Sequence, residues 1–419
     1  MRKVILSICV VCVLTFMVFG QAADLKQEAL ASYKKGDYEN AIKLMNQLKK
    51  QKPDDPEVYY YLGVFMHYCA YDSRPLVGYN NNYTDEIFFN LRKAIELKPD
   101  YGDAYYFLGA QYGSIASDAL KKGDTSEYKK CFDDAFKEKC FPSWLLEYNR
   151  NILKSCDVDA ILIVGGDAEY DPIQYLQQIE DYRKDVIVIP YAFLERPWFV
   201  KIIHDGIPNA ITKAPISLPD EQILDLHPFK WDTLVIKVPI NASVKKEFKL
   251  SQDTIFEWKL VPDLNSVRGS YLSVGRAVLA NMIETNQWKR PLYFSLGCIQ
   301  TFFGGLDENF QLCGLANKVL PFKTAKTKYN IDRERVAKIL LDKNNVKDFN
   351  DVNIHNMPRV SRILANYSAS LYRLASSFKK SNQQEEIRVI IDFIKQNLIS
   401  KSIPSSQAII KDLEGMLKD

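Results

Sequence analysis

Two carboxylates follow an apolar segment that ends in a pair of glycines. The apolar residues 160–164 run directly into the sequence Gly-Gly-Asp-Ala-Glu over residues 165–169. Carboxylate oxygens are ligands for hard cations, and a pair of carboxylates can act as acid and base at a glycosidic bond. Asp is also favoured in turns that bind no ligand, because its side chain bonds nearby amides. The pattern therefore predicts either a ligand site at Asp167 and Glu169 or a structural turn.

Charged and aromatic side chains form a second candidate cluster further along the chain. Glu195 and Arg196 precede a proline, and Trp198 follows it. An arginine next to a tryptophan can bind an anion or stack on a sugar, and the alternative is an internal ion pair with the tryptophan in the core. Arg290 precedes another apolar segment and is a candidate partner for a carboxylate of the first turn.

Several common chemistries have no support in the sequence. It contains no Gly-x-Gly-x-x-Gly pattern, no phosphate-binding loop and no Gly-x-Ser-x-Gly nucleophile turn. An EF-hand calcium loop does not fit, because Pro172 stands where that loop needs glycine. The four histidines, His67, His204, His227 and His355, are scattered without metal-ligand spacing. We therefore predict neither a metal site nor a cofactor.

The elements that position these residues form a β-α-β unit. The sequence predicts a strand over 160–164, a helix that begins at Pro172 with Asp171 as its N-cap, and a strand over 186–189. A right-handed crossover then places Asp167 and Glu195 at the same edge of one sheet. Arg290 reaches that edge only if its own strand is antiparallel or bends at its start.

The unit belongs to a predicted α/β domain over residues 151–325, with a mostly parallel sheet. Further strands are expected at Thr233–Val238, Leu292–Leu296 and Lys318–Phe322, and a helix at Leu272–Asn286. For residues 326–419 the sequence predicts C-terminal helical hairpins. Their periodic segments are 336–341, 359–378 and 385–398.

Residues 23–150 predict helices with an internal repeat. The spacing of Gly36-Asp37-Tyr38, Ala41 and Pro53 resembles that of tetratricopeptide repeats, and two more degenerate copies follow. In such a repeat the glycine permits a tight turn, the alanine permits close helix approach, and the proline ends the second helix. A stack of these helix pairs builds a concave surface for binding a partner.

Residues 1–22 indicate where in the cell the protein is located. Two basic residues, an apolar run and small residues at the exit are typical of a secretory signal peptide, which predicts a soluble periplasmic protein with no membrane span. The 55 basic and 52 acidic residues nearly balance, which does not favour nucleic-acid binding. We expect the six later cysteines to be free, and Cys298–Cys313 and Cys140–Cys156 are the candidate disulfides.

Several motifs occur in a fixed order between residues 151 and 400. They are Gly166-Asp167, Tyr175-Leu176-Gln177, Trp198-Phe199, Lys289-Arg290-Pro291-Leu292-Tyr293-Phe294 and Asn366-Tyr367. In these motifs the chain resembles the soluble periplasmic part of a Bacteroidetes family of multi-pass membrane proteins of uncertain function. The membrane portion of that family is similar to protein O-mannosyltransferases. This chain lacks that portion, so the resemblance implies an accessory module and not a transferase.

Two functions are compatible with these patterns. The favoured one is a binding or scaffold protein that engages a protein or glycan partner through its repeat helices and its α/β domain. The alternative is an accessory or degenerate enzyme that acts on glycans or glycoproteins with Asp167 and Glu169. An open pocket that joins Asp167, Glu195 and Arg290 would favour a ligand site, whereas a filled sheet edge would favour scaffolding.

Overall fold

The structure is a computed structural model that describes residues 24–70, 83–267, 269–325, 327–349, 356–398 and 404–418. The expected signal peptide lies outside the described residues. None of the described helices has both the length and the apolar character that crossing a bilayer requires.

Helices make up the N-terminal part of the chain. They are α1 (residues 24–34), α2 (Tyr38–Gln51), α3 (Pro56–Ala70), α4 (Thr84–Leu97), α5 (Gly102–Lys121), α6 (Thr125–Lys137) and α7 (Ser143–Lys154). The chain divides into two compact units, one that ends at Ser114 and one that begins at Ile115, so the boundary lies within α5. In the first unit α2 packs on α3, and α3 packs on α4.

The turn before α2 has the conformation that its sequence predicts. Gly36 has a φ angle of +80°, and Asp37 caps the helix by accepting a hydrogen bond from the amide three residues later. The same Lys-Lys-Gly-Asp sequence precedes α6, where Gly123 has a φ angle of +77° and Asp124 caps the helix in the same way. These positive angles explain why glycine occupies both turns.

Among its described residues the second unit has ten strands. They are β1 (Ile161–Val164), β2 (Ile187–Pro190), β3 (Phe229–Lys230), β4 (Leu234–Pro239), β5 (Ile255–Leu260), β6 (Leu264–Ser266), β7 (Gly269–Leu272), β8 (Leu292–Ser295), β9 (Phe310–Leu312) and β10 (Ala316–Val319). The central sheet has the order β2-β1-β8-β10-β9, and within the described residues only β10 runs against the other four strands. All four residues of β1 are buried, as expected for a strand that is covered on both faces.

Helices cover the central sheet and complete the C-terminal region. They are α8 (Asp167–Gln178), α9 (Pro197–Asp205), α10 (Asp220–Leu224), α11 (Ala242–Phe248), α12 (Val274–Asn286), α13 (Gln300–Phe303), α14 (Arg333–Leu340), α15 (Pro358–Ser361), α16 (Ala365–Lys379), α17 (Gln384–Asn397) and α18 (Pro404–Met416). Helix α16 packs against α14, α17 and α18. The predicted order of N-terminal helices, central sheet and C-terminal helices is confirmed.

Residues 224–267 and 269–272 form a separate layer of small sheets. In the part of the chain that the structure describes, strands β4 and β5 pair only with each other, and β3, β7 and β6 form an antiparallel sheet of three strands. The sequence predicts β4 but not its partner β5. Alternate residues of β4 and β5 are buried, so one face of this hairpin is covered and the other faces solvent.

The start of α8 differs from the prediction. The helix begins at Asp167, so Pro172 lies inside it and Asp171 is not its N-cap. A proline at this position has no N–H for the carbonyl oxygen of Ala168, and the side-chain amide of Asn149 donates to that oxygen at 3.1 Å instead. An external donor therefore allows the helix to begin five residues earlier than the proline indicates.

The six cysteines after residue 22 are free thiols, so neither candidate disulfide is present in the structure.

Candidate functional site

The carboxyl ends of β1 and β8 mark the place where an open α/β sheet usually binds a ligand. From β1 the chain continues to β2 on one side, and from β8 it continues towards β9 and β10 on the other side. Ligands of such sheets bind in the crevice between strands whose connections leave in opposite directions. Gly165, Gly166 and Asp167 follow β1 directly, as the sequence predicts.

Glu169 fills this crevice. Its carboxylate accepts a hydrogen bond from the Gly165 amide at 2.9 Å and one from the Ser295 hydroxyl at 2.5 Å, and its side chain is buried. A Cβ atom on Gly165 would lie 2.2 Å from the carbonyl oxygen of Gly297, and a Cβ on Gly297 would lie 2.4 Å from the Glu169 carboxylate. The two glycines therefore bring the loops after β1 and β8 into contact around a carboxylate of the protein itself.

Burial changes the pKa of two carboxyl groups in this part of the chain. Burial raises the pKa of Glu169, and hydrogen bonds from Gly165, Ser295 and Gly297 oppose that rise. Burial also raises the pKa of Asp171 well above its ordinary value, and the nearby carboxylate of Asp167 adds to the rise. Of the two predicted site residues in the turn, Asp167 is exposed in the first turn of α8 and Glu169 lies in the core.

Glu195 lies at the same sheet edge but serves another element. It ends the short 3-10 helix Tyr191–Glu195 after β2, and the amides of Gly275 and Val274 at the start of α12 donate to its carboxylate. Burial raises the pKa of Glu195, and these amides oppose the rise. A carboxylate at a helix N-terminus satisfies amides that have no partner within the helix. Glu195 thus attaches α12 to the loop after β2.

Arg196 and Trp198 belong to an aromatic cluster. The Arg196 side chain is buried, and its guanidinium lies 5.0 Å from the ring centre of Phe193. The Trp198 ring contacts Phe193 and Phe199 at centre distances of 6.0 and 5.8 Å. The described geometry is that of a packed cation–π cluster with a half-buried Trp198 ring, and the internal ion pair of Arg196 stays a prediction.

Arg290 lies at the opposite edge of the sheet from Asp167. Strand β8 is parallel to β1, so the residue before it is at the amino ends of the strands. There the Arg290 guanidinium donates to the carbonyl oxygen of Asp185 at 2.9 Å and lies 3.8 Å from the Asp159 carboxylate. The structure therefore does not bring Arg290 to the predicted site. The sequence analysis expects Arg290 and Asp167 to be apart when the strand after Arg290 is parallel, and β8 is parallel to β1.

A cavity that the sequence analysis missed lies along the outer edge of β2. Its volume is about 360 Å³, within the range of small-ligand pockets. Three glutamines of α8, Gln174, Gln177 and Gln178, line one wall, and the loop 206–213 lines another. Glutamines at positions i, i+3 and i+4 share one helix face, so this spacing was the available sequence signal.

A small cluster of metal-type ligands lies where α9 ends and α10 begins. Ligand atoms of His204, Asp205 and Asp220 lie within 4.8 Å of one another. The Lys201 ammonium bonds Asp205 and lies 3.2 Å from Asp220. Because this ammonium pairs with both carboxylates, the arrangement is an ion-pair cluster. No local sequence pattern indicates this cluster, since Asp220 is fifteen positions beyond Asp205.

Comparison with known proteins gives one match. Residues 146–227 and 222–338 match the family model of TMEM260-associated domain 2, which agrees with the resemblance of the central region to this group. No curated protein and no solved structure matches the chain.

Proposed function

We propose that this protein is a secreted binding protein that engages a protein partner and does not catalyse a reaction at the sheet edge. The proposal depends on one observation: the crevice between β1 and β8 is filled by the Glu169 side chain, which the Gly165 amide and the Ser295 hydroxyl hold in place. A filled crevice supports a scaffold, because a substrate needs room next to the reacting groups.

The enzyme alternative requires two accessible carboxylates. A glycosidase uses one as acid and one as base or nucleophile on opposite sides of the scissile bond. Asp167 is exposed, but Glu169 is 2 % exposed and its hydrogen-bond donors Gly165, Ser295 and Gly297 are groups of the protein itself. Glu195 does not replace it, since its carboxylate binds the start of α12. The geometry therefore favours binding over glycan chemistry.

The surface of the second unit supports a protein partner. Large exposed apolar side chains are concentrated in the layer of small sheets: Leu224, Phe229, Leu234, Val235, Ile255, Val261, Leu264 and Val267. Apolar residues grouped on a surface are typical of protein–protein interaction sites. TMEM260 is a protein O-mannosyltransferase, and such an enzyme acts on polypeptides, so an associated domain that contacts polypeptides is consistent with the family match.

Secretion to the periplasm is part of the proposal and depends on residues 1–22. Mature protein from the native host should begin near Ala23 and should appear in the periplasmic fraction. N-terminal sequencing of the native protein tests this directly, and a chain with Met1 intact in the membrane fraction would contradict it.

The binding proposal is tested with wild type, Asp167→Ala and Glu169→Gln. Each tagged protein is crosslinked in living cells, and the captured partner is quantified by mass spectrometry. We expect one protein partner at the same yield with all three, because neither carboxylate forms the binding surface. In parallel, glycans and glycoproteins of the periplasm are incubated with each protein, and their masses should not change.

Two outcomes would overturn the proposal. A glycan or glycoprotein whose mass changes with wild type but not with Glu169→Gln would establish an enzyme. Recovery of glycan alone, with no protein, would replace a protein partner by a carbohydrate one. Thermal melts of all three proteins serve as the control for folding.

A further inference from the structure

The outer edge of β2 has main-chain groups without partners among the residues that the structure describes. In a parallel pairing successive residues direct their N–H and C=O groups to alternate sides of the strand. Ile187 pairs with β1, since its amide donates to the Ala160 carbonyl oxygen at 2.9 Å. Val188 therefore directs its N–H and C=O away from β1, and within the described residues neither group has a hydrogen-bond partner. Such an edge is a template for another strand.

The cavity described above lies at this edge. Val188 lines it, and the loop 206–213 faces the strand from the other side. The loop is held in shape by the pairing of Ile207 with Ile211 and by the Gln178 amide, which donates to the Ala210 carbonyl oxygen at 2.9 Å. The unpaired edge therefore opens into a half-enclosed slot instead of onto a flat surface.

Two side chains of the slot have unused hydrogen-bonding capacity. Gln178 is 8 % exposed, and its carbonyl oxygen has no donor among the described residues. Lys213 lines the cavity, and in the described part of the chain its ammonium has no carboxylate partner. The apolar side chains of Phe199 and Ile203 also line the cavity. The slot thus offers main-chain groups, an acceptor, a cation and an apolar surface.

We propose that this slot binds the extended carboxyl-terminal end of a partner polypeptide by adding it to β2 as a further strand. The inference depends on the proposed function, because it names the part of the partner that is recognised. The main chain of the peptide pairs with Val188, an apolar side chain packs on Phe199 and Ile203, and the terminal carboxylate pairs with Lys213. Strand addition provides affinity through main-chain bonds, and the pocket and cation provide specificity.

The probe is an immobilised library of hexapeptides that are randomised at their last three positions, with free carboxyl ends. A second library is identical except that its ends are amidated. We expect wild-type protein to bind the first library and to select apolar residues near the end. Amidation should weaken the selected peptides about tenfold, which is the usual effect of losing one charge-assisted hydrogen bond.

Two matched pairs of variants locate the binding. Val188→Pro removes the outward N–H and breaks no pairing with β1, whereas Val188→Ala trims the side chain and keeps the N–H. Only the proline variant should abolish binding of the selected peptides. Lys213→Met should weaken the free-acid peptide about tenfold and leave the amidated one unchanged. The exposed Lys230, on β3, is changed to Met as its control and should leave both unchanged.

The inference is overturned if neither library binds, if the free-acid and amidated peptides bind equally, or if Val188→Pro binds as well as Val188→Ala. Circular dichroism of each variant shows that it is folded. If the cell crosslinking captures a partner while the peptide libraries fail, this inference fails and the proposed function stands. If crosslinking captures no protein, the proposed function fails by itself.

Discussion

Glu169 determines how the sheet edge can be used. A carboxylate in a turn between a strand and a helix suggests a ligand site, yet here it is the interior partner of Gly165 and Ser295. Its neighbour Asp167 has the same chemistry and is exposed two positions away. The difference arises because α8 begins at Asp167, and a rotation of about 100° per helical residue directs the two side chains to different sides.

The first prediction compares two changes at Glu169. Glu169→Ala leaves the Gly165 amide and the Ser295 hydroxyl without an acceptor and creates a cavity, so unfolding should become easier by about 2–4 kcal/mol. Glu169→Gln keeps an acceptor oxygen and removes a carboxylate charge that burial disfavours, as the raised pKa of Glu169 shows. The free energy of unfolding of this variant should therefore stay within about 1 kcal/mol of the wild-type value. Urea denaturation of the three proteins measures both differences. Equal loss in the two variants would show that the charge, and not the filled space, is what matters.

At the scale of elements, α8 depends on a residue outside itself. Pro172 lies within the helix and has no N–H for the Ala168 carbonyl oxygen. Asn149 of α7 provides the missing donor, and its side-chain amide also donates to the Leu145 carbonyl oxygen at 2.9 Å. One side chain therefore joins α7 to α8 and compensates for the proline.

The second prediction is a double-mutant cycle on this pair. Asn149→Ala should lower the free energy of unfolding by about 1–3 kcal/mol, because a buried carbonyl loses its donor. In a Pro172→Ala background the new N–H can bond the Ala168 oxygen, so the same change should be less costly. The coupling between the two sites should exceed about 0.5 kcal/mol, measured by urea denaturation of the four proteins. Strictly additive effects would contradict the compensation.

The same elements show how far the sequence predicts the structure. The apolar segments of β1, β2 and β8 are local patterns, and so is the apolar spacing of α12, and all four form close to their predicted positions. The start of α8 was placed wrongly, because the donor that tolerates Pro172 comes from another helix. The closed crevice requires Gly297, which is more than a hundred residues from Gly165 in sequence. Contacts of this range have no local signal, so the sequence does not show that Glu169 is held in the interior of the protein.

At the scale of the whole molecule, one ionic network joins distant parts of the second unit. The Asp157 carboxylate, just before β1, accepts a hydrogen bond from the Tyr293 hydroxyl of β8 at 2.8 Å and pairs with Lys318 of β10 at 2.7 Å. Its other oxygen pairs with Arg335 of α14 at 2.6 Å. The network therefore connects the start of the sheet, its antiparallel strand and the first helix of the C-terminal region.

The pKa of Asp157 reflects this arrangement. Burial alone would raise it, but the charges of Lys318 and Arg335 and the hydrogen bonds from Lys318 and Tyr293 outweigh burial and lower it to about 2 from an ordinary 3.8. A lowered pKa in the folded protein means that the ionised carboxylate stabilises the fold. That stabilisation is fully present at neutral pH, and it is lost as the pH falls through about 4 towards about 2.

The third prediction follows from this sign. Asp157→Asn should lower the free energy of unfolding at pH 7 by about 1 kcal/mol, a modest value because solvent screens the partly exposed carboxylate. As the pH falls from 4 towards 2, wild type should lose this advantage and the two proteins should converge. Asp181→Asn, a change at an exposed carboxylate that pairs only with Lys184 in the described structure, is the control and should have little effect at either pH. Denaturation midpoints of the three proteins between pH 2 and 7 test the pattern, and a difference between Asp157→Asn and wild type that persists at pH 2 would show that packing, and not the ionic network, links these elements.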